Sequence, residues 1–295
     1  HHPLMHHNFT KSDMDSAIRL LKSKNKVLTQ SENVKKFEES WSKWLGVRYS
    51  VFVNSGSSAN LLTISILKIL FKKKKEIILP SLTWVSDINS VLQNNYKPVF
   101  VDINPNNLCM DEDQIIKKVN KNTLAVFLTH VQGFNGLSSR LINFLKRKNV
   151  LLIEDVCESH GATYKNKKLG TFGKISNFSF YYSHHLSTIE GGMLCTNDKK
   201  IHEIAKMLRS HGMVRESHNP SFEKKIIKKN HKLSPKFIFL YPGYNFRNTE
   251  VGAIIGLSQL KSLDKNNKTR VKNFKSFLKF IDEKKYRTDF DTEGS

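Results

Sequence analysis

"VLLIEDVCESHGA", residues 150–162, holds the reading that decides the fold. Val150 to Ile153 run apolar without a polar break, and the run stops at two carboxylates, Glu154 and Asp155. A strand with no alternation is buried on both faces, so helices must cover both sides of its sheet. The same kind of run recurs at "EIILP" (76–80), "KPVFVDI" (97–103) and "LAVFLTH" (124–130). "YSVFV" (49–53), "NFSFYY" (177–182) and "GMLCTN" (192–197) complete the strand set. Helical patterns fall between them, near 84–94, 111–119, 138–147 and 198–210. Strands that alternate with helices predict an α/β fold of three layers around a mostly parallel sheet. Ligands in such sheets sit beyond the carboxyl ends of the strands.

Ahead of the first strand, "SENVKKFEESWSKWLG" (31–46) spaces Val34, Phe37, Trp41 and Trp44 at three- and four-residue steps, as one face of a helix, with Ser31 as N-cap. "LLTISILKILF" (61–71) is the longest apolar stretch. It falls well short of the roughly 20 residues that span a bilayer and reads as a buried helix. No membrane association is expected. The opening "HHPLMHHNFT" has no apolar run of the secretory kind, and its histidines are left out of the site. Three cysteines without CxxC spacing point to a reducing, cytoplasmic setting and to no metal centre.

The net charge of +22 admits an acidic partner or merely solvated lysine-rich faces. The runs "KKKKE" (72–76) and "KKIIKKNHK" (224–232) lack interleaved aromatics for stacking on bases, which favours the second reading and no nucleic acid.

Several short stretches can carry chemistry. "YSVFVNSGSSAN" is strand, Gly/Ser loop and helix, so Gly56, Ser57 and Ser58 can cradle a phosphate at a helix N-terminus, or simply cap it. Asp155 and Glu158 follow a buried strand, where a carboxylate meets a cation or donors, or serves as a cap. Trp84, just past a strand end, can stack on a flat ring or pack in the core. "YPGYNFRNTE" (241–250) offers Asn245 and Arg247 beside a turn; the arginine can clamp an anion or form a surface ion pair.

Taken in order, "SGSSAN", Trp84, "EDVCESHGA", "FSFYYSHHLSTIEGG" and "PGYNFRNTE" closely resemble the DegT/DnrJ/EryC1/StrS sugar aminotransferase family, from about residue 10 onward. The resemblance implies the aspartate-aminotransferase fold and pyridoxal phosphate. Ordinary members carry a lysine two residues before the Leu186 position and six before the EGG turn, and it holds the cofactor as an imine. Here that position is His184, followed by His185. Imidazole forms no stable imine, so the cofactor is expected non-covalently, as pyridoxal or pyridoxamine phosphate. The paired histidines resemble the histidine branch of the family, the 3-dehydratases of nucleotide-linked 4-keto-6-deoxyhexoses.

Residue by residue, the resemblance implies that Asp155 pairs with the pyridine nitrogen and Glu158 with the ring hydroxyl. Trp84 stacks on the ring, and Gly56, Ser57 and Ser179 hold the phosphate. His184 is the base that also returns the proton. Across a homodimer, Asn245 touches the phosphate and Arg247 the carboxylate of glutamate, which yields 2-oxoglutarate. A free lysine, with pKa about 10.4, is charged at neutral pH, whereas histidine, about 6.5, is mostly neutral and ready to accept a proton. Two alternatives stay open on the sequence: an aminotransferase homologue that has lost its lysine, and a non-catalytic binding or regulatory protein of the same fold. Residues 1–250 are expected to form the large cofactor-binding domain. Residues 251–295, where the pattern thins, are expected to begin a small C-terminal domain that family members carry further.

Overall fold

A computed structural model describes residues 8–24 and 27–295. The histidine-rich opening, residues 1–7, lies outside the described residues. The strands are β1 (Tyr49–Val53), β2 (Glu76–Pro80), β3 (Lys97–Val101), β4 (Thr123–Thr129), β5 (Leu151–Asp155), the short pair β6 (Thr163–Tyr164) and β7 (Lys167–Lys168), β8 (Ile175–Ser179) and β9 (Gly192–Thr196). The helices are α1 (Lys11–Lys22), α2 (Glu32–Leu45), α3 (Gly56–Leu70), α4 (Val85–Gln93), α5 (Glu112–Lys118), α6 (Ser139–Lys148), α7 (Lys199–Arg209), α8 (Pro220–Lys229), α9 (Glu250–Leu260) and α10 (Leu263–Leu278).

The main sheet has seven strands in the order β1-β9-β8-β5-β4-β2-β3. Pairs β2–β3, β2–β4, β4–β5 and β5–β8 are parallel. β9 runs against both its neighbours, β1 and β8. The expected three-layer, mostly parallel arrangement is therefore what forms. Residues along β1 alternate between two cores: Phe52 joins Phe37, Trp41 and Phe178 on one side, while Val51 and Val53 join Ile64, Leu67 and Ile77 on the other. Burial on both sides is why these strands read as unbroken apolar runs. Among the described residues no helix is long and apolar enough to cross a membrane.

One local expectation shifts. "NFSFYY" was expected as strand through Tyr182, but pairing with β9 ends at Ser179 opposite Gly192. The chain then turns, with His184 N–H donating to Tyr181 O at 3.0 Å, and so lifts the two histidines off the sheet. Beyond residue 250 two helices continue. α9 is apolar nearly all round, and α10 sets Val271, Phe274 and Phe277 among lysines and asparagines and leaves them exposed. α9 packs against α2: a Cβ on Gly256 would come within 2.6 Å of the Phe37 ring. The lysine run at 224–229 lies on α8, which has no buried residue, and is a solvated face.

Candidate active site

The carboxyl ends of β1, β2, β4, β5 and β8 point to one edge of the sheet, because these five strands run parallel. Seven of the expected site residues gather there. Asp155 closes β5 and Ser179 closes β8, Gly56 and Ser57 open the helix after β1, Trp84 follows β2, and Glu158 and His184 lie in the loops after β5 and β8.

Asp155 is 3% exposed. Its Oδ1 accepts from Cys157 N at 2.9 Å, and its Oδ2 accepts from Asn60 Nδ2 at 3.0 Å. Asn60, on α3, also donates toward Asp87 Oδ1 at 2.6 Å. Burial, followed by the neighbouring Asp155 carboxylate, pushes the Asp87 carboxyl well up; hydroxyls of Thr83 and Thr129 pull partly back. Burial and Asp155 likewise raise the Cys157 thiol, which keeps it protonated and unreactive. Glu154 points elsewhere. It accepts from the N–H groups of Gly170, Phe172 and Gly173 at 2.6–2.9 Å and holds a loop in place.

At the N-terminus of α3, Ser55 is the cap: its hydroxyl accepts from Ser58 N at 3.0 Å, and its carbonyl accepts from Ala59 N at 3.1 Å. The Ser58 hydroxyl accepts from the Ser55 hydroxyl at 3.0 Å, which leaves its own O–H to donate. The first-turn N–H groups left for a ligand are those of Gly56 and Ser57. Gly56 is needed here: a Cβ would stand 2.7 Å from Ser179 Cβ and 3.1 Å from Ser179 Oγ. Glycine thus lets the serine that closes β8 come against the helix start.

His184 sits in a group of three histidines. The His160 ring centroid lies 6.1 Å from His184 and 5.3 Å from His185. His160 is itself boxed by Trp41, Phe178 and Phe180 at 5.6–5.8 Å. Burial lowers the His184 pKa; the Asp155 carboxylate works against that shift and Arg270 adds to it. His184 is therefore a neutral imidazole within electrostatic reach of Asp155.

Trp84 stands at the N-cap of α4 and is 69% exposed, a flat apolar face open at the strand edge rather than core. Glu158 accepts from Gln132 N at 2.8 Å, which fixes one oxygen of an otherwise exposed carboxylate. Asn245 and Arg247 flank Phe246, whose carbonyl accepts from Asn54 N at 3.0 Å, just past the end of β1. Arg247 Nε donates to Asn245 Oδ1 at 3.0 Å, and Arg247 lies beside His211. Arg247, with Arg215, Phe237 and Phe239, borders a cavity of about 610 Å³.

Sequence reading missed Asn60, Asp87 and Thr129. Asn60 lies one helical turn past Gly56, and Asp87 three residues past Trp84, so helical spacing from the singled-out residues was the available signal.

These residues fit pyridoxal phosphate. A cradle that only glycine allows, with open N–H groups, suits the phosphate. A buried carboxylate suits a protonated pyridine nitrogen, and an open indole suits the ring. Among the described residues no His, Cys, Asp or Glu cluster could hold a metal ion.

The chain is 37% identical over 265 residues to GDP-4-keto-6-deoxy-D-mannose 3-dehydratase of Escherichia coli O55:H7, covering 88% of this chain and 68% of that protein. A crystal structure of a GDP-4-keto-6-deoxymannose-3-dehydratase mutant with bound GDP-perosamine superposes with TM-score 0.86 at 35% identity, over 95% of this chain and 72% of that one. Another, with a trapped PLP-glutamate geminal diamine, gives TM-score 0.79 at 34% identity, over 90% and 69%. The profile of the sugar aminotransferases matches residues 9–293, and on that match the chain belongs to the DegT/DnrJ/EryC1/StrS aminotransferase family.

Proposed function

We propose that the protein is a pyridoxamine-phosphate-dependent 3-dehydratase of a nucleotide-linked 4-keto-6-deoxyhexose, with GDP-4-keto-6-deoxymannose as the substrate. The observation that carries this reading is His184: a half-buried imidazole, kept neutral by burial, stands at the strand edge, at the position where the family resemblance implies a lysine in ordinary members. The two dehydratase likenesses support the substrate assignment.

Gly56 and Ser57 N–H groups, with the Ser57 and Ser179 hydroxyls, hold the phosphate. The Trp84 face covers the ring, Asp155 keeps its nitrogen protonated, and Glu158 receives the ring hydroxyl. When bound, the cofactor supplies the electron sink that accepts the pair left by proton removal. His184 takes that proton because burial keeps it neutral. It returns the proton to the hydroxyl at C3 of the sugar, which leaves as water. With no amine at residue 184 to recapture the cofactor, the amino group left at C4 of the sugar would meet water, which would replace it by a ketone and release ammonia. Glutamate supplies the two electrons for the deoxygenation and becomes 2-oxoglutarate.

A second copy of the chain completes the site. Arg247 binds the carboxylate of glutamate and Asn245 the phosphate across a homodimer interface; within one chain the two side chains are held together by their own hydrogen bond. Three free cysteines agree with a reducing, cytoplasmic setting.

The test is incubation with pyridoxal phosphate, glutamate and GDP-4-keto-6-deoxymannose. Ammonia and a 3-deoxy product are expected in equal amounts. A 4-amino sugar as the main product would identify an aminotransferase instead.

A further inference from the structure

Asp87 enters no step of the proposed reaction, yet it is 0% exposed and packed against the residue that anchors the cofactor ring. The Asn60 amide has two N–H bonds and three acceptors around it: Ser86 Oγ at 3.1 Å, Asp87 Oδ1 at 2.6 Å and Asp155 Oδ2 at 3.0 Å. The other Asp87 oxygen receives Thr83 Oγ1 at 2.5 Å and Thr129 Oγ1 at 2.9 Å. Residues from α3, the β2–α4 loop, β4 and β5 thus converge on one sealed carboxyl.

We propose that Asp87 is a positioning residue for Asp155: through the shared amide of Asn60 it fixes the carboxylate that meets the ring nitrogen of the cofactor. The proposal rests on the reading of this edge as a pyridoxal phosphate site. Two carboxylates that share a dry pocket do not both ionise. Asp155 lies at the strand edge and Asp87 is enclosed behind it, so the proton of the pair sits on Asp87. Burial and the adjacent carboxylate act on Asp87 in that direction. A neutral Asp87 keeps Asn60 turned toward Asp155 without competing for the pyridinium. The two threonine hydroxyls keep Asp87 itself from turning. Asp155 is thereby held at both oxygens, by Cys157 N and by Asn60, before any ligand arrives. Such support of a ligating group by its neighbours is the usual origin of preorganised binding.

The experiment uses Asp87→Ala, Asp87→Asn and Thr129→Val in the full chain, loaded with pyridoxal phosphate labelled with ¹⁵N in the ring. The readouts are the cofactor dissociation constant, the ¹⁵N shift of the ring nitrogen, and the melting temperature of the apo protein. Asp87→Ala is expected to weaken cofactor binding about tenfold or more and to move the ring nitrogen toward its unprotonated shift. Asp87→Asn, uncharged and nearly isosteric, keeps the protonated shift. Thr129→Val, which leaves every partner of Asp155 in place, moves both readouts in the same direction as Asp87→Ala and by less. Should Asp87→Ala fail to fold, Thr129→Val and Asp87→Asn carry the test. Wild-type shift and affinity in both Asp87→Ala and Thr129→Val overturn the proposal, as does an Asn variant whose ring nitrogen loses its proton. Wild-type protein that binds no pyridoxal phosphate overturns the reading of the site, and the proposal with it.

Discussion

Glu250, the first residue of α9, caps α2 from the far end of the chain. Its Oε1 accepts from Ser31 N at 2.7 Å and Val34 N at 2.9 Å, and its Oε2 accepts from Asn33 N at 2.8 Å. Ser31 occupies the N-cap position but makes no side-chain cap bond. The serine expected to cap the helix is thus replaced by a buried carboxylate that satisfies three backbone donors at once.

Removing that carboxylate leaves one buried and two partly buried donors without their partner. Glu250→Ala is expected to destabilise the fold by about 3 kcal/mol, with Glu250→Gln intermediate because it can accept only through one oxygen. Denaturant unfolding of the three proteins measures this. Equal midpoints would mean that α2 is capped by water instead.

Gly56→Ala inserts a methyl 2.7 Å from Ser179 Cβ and 3.1 Å from Cys157 Sγ. Neither neighbour is the end of a long flexible chain, so the helix start must move away from β8. A loss of about 1–3 kcal/mol in stability is expected, with weaker cofactor binding beyond what the stability change explains. Titration of the folded variant with pyridoxal phosphate separates the two effects.

His184→Lys places an amine where the neutral imidazole stands. Reduction with borohydride in the presence of pyridoxal phosphate should then add the cofactor mass to the peptide that holds residue 184, while ammonia release from the sugar falls to background. An unchanged dehydration rate in this variant would remove His184 from the chemistry. In the wild type, the acid limb of turnover governed by His184 should fall below the ordinary histidine value of 6.5, because burial disfavours its charged form.

Buried histidines also set how the fold responds to acid. Burial, with the neighbouring His185 and His184, lowers His160 well below its ordinary value. Burial, with Arg270 and His184 nearby, brings His185 down to about 3. His202 is likewise lowered to about 3, by burial and then Lys206. Each is neutral in the fold but takes up a proton near 6.5 in the unfolded chain, so the unfolded state binds more protons between those values. The stability they contribute is full above about 6.5 and is lost as pH falls toward about 3. Melting temperature should already decline between about pH 6.5 and 5, before most carboxylates titrate. A flat profile over that interval would contradict the burial of these rings.

The strands and most helices were legible because their signals are local. β5 announces itself by an apolar run that stops at Asp155, and α2 by the three- and four-residue spacing of Val34, Phe37 and Trp41. α9 and α10 were not: one is apolar nearly all round, and the other interleaves lysines and asparagines with a few exposed apolar residues. Within the site, Gly56, Asp155 and His184 could be singled out as chemical types at strand ends. What lies behind them could not. Asn60 meets Asp155 across 95 residues of chain, and Asn33 meets Glu250 across 217.

The sequence by itself determined which segments are strands and that both faces of the sheet are covered, and its resemblance to the family drew attention to His184. Only the tertiary structure decided which oxygen caps α2, which carboxyl stands behind Asp155, and which aromatic rings enclose His160. Periodicity is a property of neighbours along the chain, whereas a hydrogen bond or a buried contact is satisfied by whatever the packing brings within about 3 Å.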